Sequence, residues 1–302
     1  MIKYILGIDG GGTKTEAVIL DIEGKVAGTG TAGGSNTNFI SRREAAEAFK
    51  QAISGAFEAA SVTAKDIGCA GCTFWTVANE VFDELRIPVQ PKSFSEHAVA
   101  FERAGIEELR GIAIIAGTGS SCGGFSDGGQ RFTVGGWGPL LGDEGSAYDI
   151  GLRGIKRALW SAEGRLPDTL LVDAVRSYFG IEHAKGAIGK LCDTKINQSL
   201  VAGFAMEVSK AAGMGDEAAI QIIEEAGEML GEMAAFVARQ IFTENDGFPV
   251  VLAGGVFNMG RLVLDPIRAV ILPQFPKAKA LIAKMKPGEA VARLAYKKCF
   301  GG

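Results

Sequence analysis

The sequence contains no run of eighteen apolar residues, so no segment of it reads as a membrane-spanning helix. It has no basic excess either. Its 31 Lys and Arg face 35 Asp and Glu, a net charge of −4, which leaves no general electrostatic footprint for nucleic acid. The N-terminus lacks the charged and apolar regions of a secretory signal and enters an apolar run, Tyr4-Ile5-Leu6, directly, so the expected location is cytoplasmic. No linker-like stretch divides the chain. Cysteine is scarce and odd in number, five in all, and Cys69, Cys72, Cys122 and Cys299 sit in or beside apolar segments. Buried, reduced thiols are the expectation. Cys69-Ala70-Gly71-Cys72 has CxxC spacing, but it lacks both the second pair of a zinc site and a thioredoxin-like context.

Glycine, by contrast, is abundant: 43 residues, about double the usual share, gathered in clusters that suggest several sites of close backbone approach. With 302 residues the chain exceeds one typical core, so two lobes are expected. Hydrophobic content of 47% and charge of 22% describe an ordinary globular protein.

The chain is organised around Gly7-Ile8-Asp9-Gly10-Gly11-Gly12-Thr13-Lys14-Thr15. An apolar run precedes it, and a second, Ala17 to Asp21, follows and ends in a Glu23-Gly24 turn, so the pattern reads strand, glycine turn, strand. Absent side chains let backbone N–H groups line an anion-binding concavity, with Thr13, Lys14 and Thr15 as rim donors. Asp9, at the end of the first strand, offers a carboxylate where a phosphate-bound Mg²⁺ wants an oxygen ligand. No helix follows, so this is not a dinucleotide fingerprint, and the Gly-Lys-Ser/Thr order of a Walker loop is missing.

Residues 26–31 read as a third strand and Gly33 to Phe39 as an amide-rich loop. Arg42 to Ala60 reads as an amphipathic helix, Asp66 to Cys72 as a buried strand, and His97 to Arg103 as a helix stopped by Gly105. Gly111 to Ala116 is then a buried strand running into Gly117-Thr118-Gly119-Ser120-Ser121, with a hairpin turn at Asp127-Gly128-Gly129. The opening arrangement thus recurs as an internal repeat of pattern, and two such halves facing each other would set two phosphate loops across one cleft. Residues 135–146 are too glycine-rich for a regular element. Helices are expected over 147–160, through 167–242 and over 258–272, a buried strand over 249–253, and a last helix from Pro287 to Cys299.

Four segments in this order, GIDGGGTKT (7–15), AGTGSS (116–121), GGWGPLLGDEGSAYDIG (135–151) and LAGGVF (252–257), resemble the sugar-kinase, heat-shock and actin ATPase superfamily. Within it the chain looks like the N-acetylglucosamine kinase-like members of the BadF/BadG/BcrA/BcrD ATPase family. The resemblance implies an α/β fold of two ribonuclease-H-like lobes, 1–108 and 109–302, with nucleotide in the cleft between them. It also implies a helical insertion at 147–242 and a C-terminal helix, 287–300, able to pack back on the first lobe. It implies ATP and Mg²⁺ as cofactors. Gly10, Gly11, Gly12, Thr13 and Lys14 would bind phosphate with Asp9 near the metal, Gly117, Thr118, Gly119 and Ser120 would form a second phosphate loop, and Gly254 and Gly255 would lie against adenosine. Sugar contacts would come from Asn36 (with Asn38 the other amide of that loop), Gly136, Trp137, Gly138 and Asp143: amides and a carboxylate pair with hydroxyls, and an indole covers an apolar sugar face.

Sugar kinases of this type carry an Asp about where this chain has Ser95-Glu96-His97-Ala98. Glu96 is the carboxylate available as base and substrate contact, with His97 the runner-up. The expected activity is ATP-dependent phosphorylation of a hexosamine, N-acetylglucosamine foremost, with sugar and ATP as the partners and no nucleic acid or membrane among them. Methionine and alanine over 196–242 suggest a homodimer. The alternatives are an ATPase that activates a dehydratase or reductase through an iron–sulfur cluster, and a non-catalytic sugar or nucleotide sensor.

Overall fold

The computed structural model describes residues 4–37, 40–74, 76–191 and 198–300. The chain divides into two compact units, Met1–Glu108 with Ala283–Gly302, and Leu109–Ile282.

In the first unit, β1 (Tyr4–Gly10), β2 (Lys14–Asp21) and β3 (Val26–Gly33) form an antiparallel meander. Next in the chain come α1 (Arg42–Ala60), β4 (Ile67–Cys72), α2 (Ala78–Glu84), the two-residue β5 (Lys92–Ser93) and α3 (Glu96–Arg103). β4 and β5 join parallel on the far side of β1, giving the order β3-β2-β1-β4-β5. Alternation along the strands sorts the helices between the faces. Leu6, Ile8, Ala17 and Ile19 pack on Phe49 and Ile53 of α1 and Phe82 of α2. Ile5, Val18 and Leu20 point the other way, toward Ala292 and Ala295. α1 opens on a reciprocal capping box: Glu44 N–H donates to Ser41 Oγ at 3.2 Å, and Ser41 N–H donates to the Glu44 carboxylate at 2.8 Å.

The second unit repeats this plan. β6 (Gly111–Ala116), β7 (Ser120–Phe125) and β8 (Arg131–Gly135) are the meander. The helical stretch that follows contains α4 (Ala147–Ala162), α5 (Leu171–Phe179), α6 (Ala187–Leu191), α7 (Gln198–Gly203), α8 (Ala205–Gly213) and α9 (Glu217–Ile241). β9 (Pro249–Ala253), α10 (Arg261–Ile271) and β10 (Lys279–Ile282) complete the unit, and its sheet order is β10-β9-β6-β7-β8, with β9 and β10 parallel to β6. Ile112, Ile114, Val250 and Leu252 share a core with Ile150, Phe204, Leu230 and Ile267. α10 starts later than the apolar spacing suggests, because Gly255–Met259 forms a 3₁₀ turn and Gly260, at φ 68°, separates it from the helix.

α11 (Pro287–Phe300) belongs to the first unit. It lies so close to β1 that a Cβ on Gly7 would stand 2.2 Å from the Ala292 nitrogen. This helix corrects the expectation of reduced thiols. Cys69 of β4 is joined to Cys299 in a disulfide, Cα to Cα 6.6 Å, between positions 230 residues apart in sequence. Their adjacency comes from the return of the chain's end to its beginning, which local sequence does not display. Cys72 and Cys122 are buried thiols, as expected.

Candidate functional site

In the first unit, the antiparallel register closes with Gly10 opposite Thr15, leaving Gly11 to Lys14 as the loop. Gly11 N–H donates to Lys14 O at 2.9 Å. Because β1 and β4 are parallel, the residue after β4 emerges at the same end of the sheet as Asp9. That residue, Thr73, accepts from Gly10 N–H at 3.0 Å and donates to Asp9 Oδ1 at 3.1 Å. The sequence alone does not single out Thr73, because its place beside Asp9 depends on the pairing of β4 with β1. Lys14, expected as a rim donor, is paired with Glu16 at 3.1 Å. Glu16, itself buried, also accepts from Gly288 N–H at the start of α11.

The amide-rich loop lies across the glycine loop. Ser35 N–H donates to Gly11 O at 2.9 Å, and Thr15 Oγ1 donates to Gly33 O at 2.8 Å. A Cβ on Gly34 would stand 2.2 Å from Gly12 O, and one on Gly10 would stand 2.5 Å from Ser35 Oγ. At these positions glycine is required by the chain's own second loop. Ser35 is fully buried and its hydroxyl has no hydrogen-bond partner. Asn36 follows it, half-buried, while Asn38 lies outside the described residues.

Glu96 is the first residue of α3, whose N-cap Ser95 accepts Ala98 N–H at 3.2 Å. The structure brings Glu96 and Asp9 into electrostatic contact. Burial, then the negative field of Glu96, push the Asp9 carboxyl up to about 7, against the Thr73 hydrogen bond and the Arg103 charge, which act in the other direction. Glu96 as a residue keeps exposed surface, yet loss of water around its carboxyl raises its pKa as well. His97 is held down to about 4 by desolvation, so at neutral pH it is an uncharged imidazole of low basicity and the weaker candidate for a base.

In the second unit, the register Ala116 to Ser120 makes Gly117 to Gly119 the corresponding loop. Gly117 faces open space. Ser120 does not. It is buried, its N–H donates to Asp143 Oδ1 at 3.2 Å and its Oγ donates to Glu144 O at 2.7 Å. Both of its polar groups are turned into the protein, away from the phosphate-binding role expected of it. Asp143 is 4% exposed and sits in the left-handed region at φ 64°. Gly136 and Gly138 also have positive φ, and between them Trp137 is 72% exposed. Gly254, at φ 130°, is seated on β6, where a Cβ would stand 2.1 Å from Ala116 O, so the steric demand for glycine there comes from the chain. Gly255 faces open space.

Thus Asp9, residues 10–14, Asn36 and Glu96 belong to the first unit, and residues 117–120, 136–138, 143 and 254–255 to the second. A lone carboxylate with an excess of negative charge around it suits Mg²⁺, which takes one or two protein carboxylates together with phosphate oxygens. Among the described residues no cluster of three or more His, Cys, Asp or Glu forms an all-protein metal cage.

The model of the BadF/BadG/BcrA/BcrD ATPase family matches residues 6–286. An N-acetylmuramic acid/N-acetylglucosamine kinase of Clostridium acetobutylicum is 28% identical over 99% of this chain and 100% of its own length. An N-acetyl-D-glucosamine kinase of Dictyostelium discoideum is 26% identical over 97% of this chain and 98% of its own. A solved structure of a candidate N-acetylglucosamine kinase from Porphyromonas gingivalis shares the fold, with a TM-score of 0.74 at 21% identity, covering 99% of this chain and 100% of that one.

Proposed function

The chain belongs to the BadF/BadG/BcrA/BcrD ATPase family, and from that premise we propose that it is an ATP-dependent kinase phosphorylating a hexosamine, N-acetylglucosamine foremost. The observation that carries the reading is the Asp9–Glu96 pair beside the Gly10–Thr13 loop. A phosphotransferase needs one acid for the metal and a second to take a proton from the acceptor hydroxyl; simple nucleotide sensing needs no second acid. The two kinases aligned end to end with this chain support the sugar class.

In this reading Asp9 holds Mg²⁺, which, bound with the nucleotide, offsets charge on the transferring phosphoryl group. Gly10 to Lys14 and Gly117 to Gly119 are the phosphate loops, with Ser120 anchoring the second from inside the protein, and Gly255, with Gly254 shaping the backbone, lies by adenosine. Asn36, Gly136, Trp137, Gly138 and Asp143 orient the sugar. Glu96 accepts the proton of the attacking hydroxyl as the new O–P bond forms and the bond from the γ-phosphorus to the β,γ-bridging oxygen breaks, with ADP as the leaving group. Loss of water around the Glu96 carboxyl raises its pKa, which makes the carboxylate a stronger base. Cytoplasmic location and a homodimer belong to the same proposal; Met206 and Met214, 66% and 69% exposed in the helical stretch, provide apolar surface for a second copy. The iron–sulfur activator reading asks for exposed thiolates. Among the described cysteines, Cys69 is tied to Cys299, and Cys72 and Cys122 are buried with raised pKa values.

The test is sugar-dependent ADP release with MgATP over glucose, glucosamine, N-acetylglucosamine and N-acetylmuramic acid. Release is expected with an N-acetylated hexosamine; none with any sugar overturns the reading. Glu96→Gln, which keeps the shape and removes the base, should cut kcat by ~10²–10⁴-fold. Turnover near that of the wild type would remove Glu96 from the role.

A further inference from the structure

We propose that Asp143 is a positioning residue for the nucleotide as well as for the sugar: one buried carboxylate holds the second glycine loop and the Trp137 segment in a fixed mutual arrangement. This rests on the kinase reading and deepens it.

The carboxylate has two partners in different segments. It accepts Ser120 N–H at 3.2 Å and also the backbone N–H of Gly138. Gly119 makes room for it, since a Cβ there would stand 2.7 Å from Asp143 Oδ2. The segment that carries Asp143 grips the loop at three more points. Ser120 Oγ donates to Glu144 O at 2.7 Å, and the first N–H groups of α4, from Ala147 and Tyr148, donate to the carbonyls of Gly117 and Thr118 at 2.9 and 3.2 Å. Residues 117–120 therefore take their shape from 143–148. The second partner, Gly138, directly follows the exposed Trp137. Losing either hydrogen bond leaves a backbone N–H without an acceptor and releases a loop at one of the two proposed subsites.

A residue that only touched sugar would act on sugar affinity alone. A residue that shapes the loop also acts on nucleotide affinity with no sugar present, and calorimetry separates the two. Asp143→Asn is the suitable variant, because Asn tolerates the left-handed φ of 64° and keeps the volume. Its NH₂ group, however, cannot accept, so the carboxylate's four acceptor sites fall to the two of one amide oxygen, and the charge that strengthens both hydrogen bonds is lost. With Mg²⁺ and ADP as the probe and sugar absent, the expected result is a Kd about 10-fold higher than wild type, which is about 1.4 kcal/mol. The KM for sugar rises in parallel. Gly119→Ala drives a methyl against the same carboxylate and should weaken ADP in the same way, with the double variant falling short of the sum of the singles. Circular dichroism and a cooperative melt verify folding, and Gly119→Ala carries the test if Asp143→Asn does not fold. Wild-type ADP affinity in either folded variant overturns the proposal and, if only the sugar KM has changed, leaves Asp143 a sugar contact. Failure of the wild-type protein to bind ADP overturns the nucleotide reading itself and this proposal with it.

Discussion

Asp9 is held at an energetic disadvantage. Its carboxyl is buried beside Glu96, and its pKa is pushed up to about 7 from 3.8. An acid whose folded pKa lies above its unfolded one binds more protons when folded, so folding is favoured at low pH and loses stability as pH rises between those two values. The loss begins near pH 4 and is complete above pH 7, a few kcal/mol by order of magnitude. Asp9→Asn removes the charge and keeps an acceptor for Thr73. It should therefore melt higher than the wild type at pH 8, with the gap closing toward pH 4, while turnover falls by at least ~10²-fold because the carboxylate proposed to hold the metal is gone. Thermal melts at pH 4.5 and 8 without ligand check this, and a variant no more stable than wild type at pH 8 would refute it. Such a trade of stability for function is expected where like charges are gathered for a cation.

The elements of the first unit pack at unusually short range, and glycine sets that range. On β3, a Cβ at Gly30 would stand 2.0 Å from Ala52 O and 2.5 Å from Ala56 N, so α1 rests on bare strand backbone. Gly30→Ala must push the helix away and should cost about 1–3 kcal/mol in urea denaturation. Gly33→Ala on the same strand meets nothing within 4 Å, and should shift stability by no more than about 0.5 kcal/mol. Equal effects at the two sites would show that propensity, rather than close approach, governs the strand. These glycines also mark how far the sequence could be read. A glycine cluster announces that something comes close without saying what. Gly10, Gly34, Gly119 and Gly254 each make room for the chain itself. Elements with a strong internal period were legible: α1, β6 and β9 fall on the predicted residues, and the repeat of pattern is a repeat of sheet topology. β5 is two residues long, and most of β10 is exposed, so neither has an alternation to detect. Of the candidate acids, Asp9 and Glu96 stood out next to recognisable motifs. Thr73, Glu16 and Ser35 acquire meaning only through strand pairing and loop contact, which is long-range information.

At the scale of the whole molecule, the first unit is assembled from both ends of the chain, and α11 completes it. Ala292 and Ala295 fill the sheet face formed by Ile5, Val18 and Leu20, Gly288 satisfies Glu16, and Lys297 pairs with the buried Glu102 of α3 at 2.7 Å. α3 also carries Glu96, so the helix that closes the core helps seat the proposed base. The Cys69–Cys299 bond adds a covalent tie to this packing. It lies near the end of α11, Cys299 is exposed enough for a thiol reductant to reach, and it links positions 230 residues apart. For so long a loop the chain-entropy contribution is about 5 kcal/mol. The packing contacts, in contrast, survive reduction. The two contributions are therefore separable. Protein purified in air and digested without reductant should yield a peptide pair joined through Cys69 and Cys299, with Cys72 and Cys122 unmodified by alkylating agents until the chain is unfolded. Dithiothreitol should lower the melting temperature by roughly 5–10 °C and leave the far-ultraviolet circular dichroism and the kinase activity at 25 °C in place, because α11 remains docked. Cys299→Ser should reproduce the reduced protein and be insensitive to dithiothreitol. Deleting residues 283–302 should instead unfold the first unit outright. If reduction alone abolished activity, the bond would be holding the α3 end of the site, and α11 packing would be insufficient by itself; if reduction changed neither melting nor the peptide map, the two cysteines would be thiols in the protein as isolated.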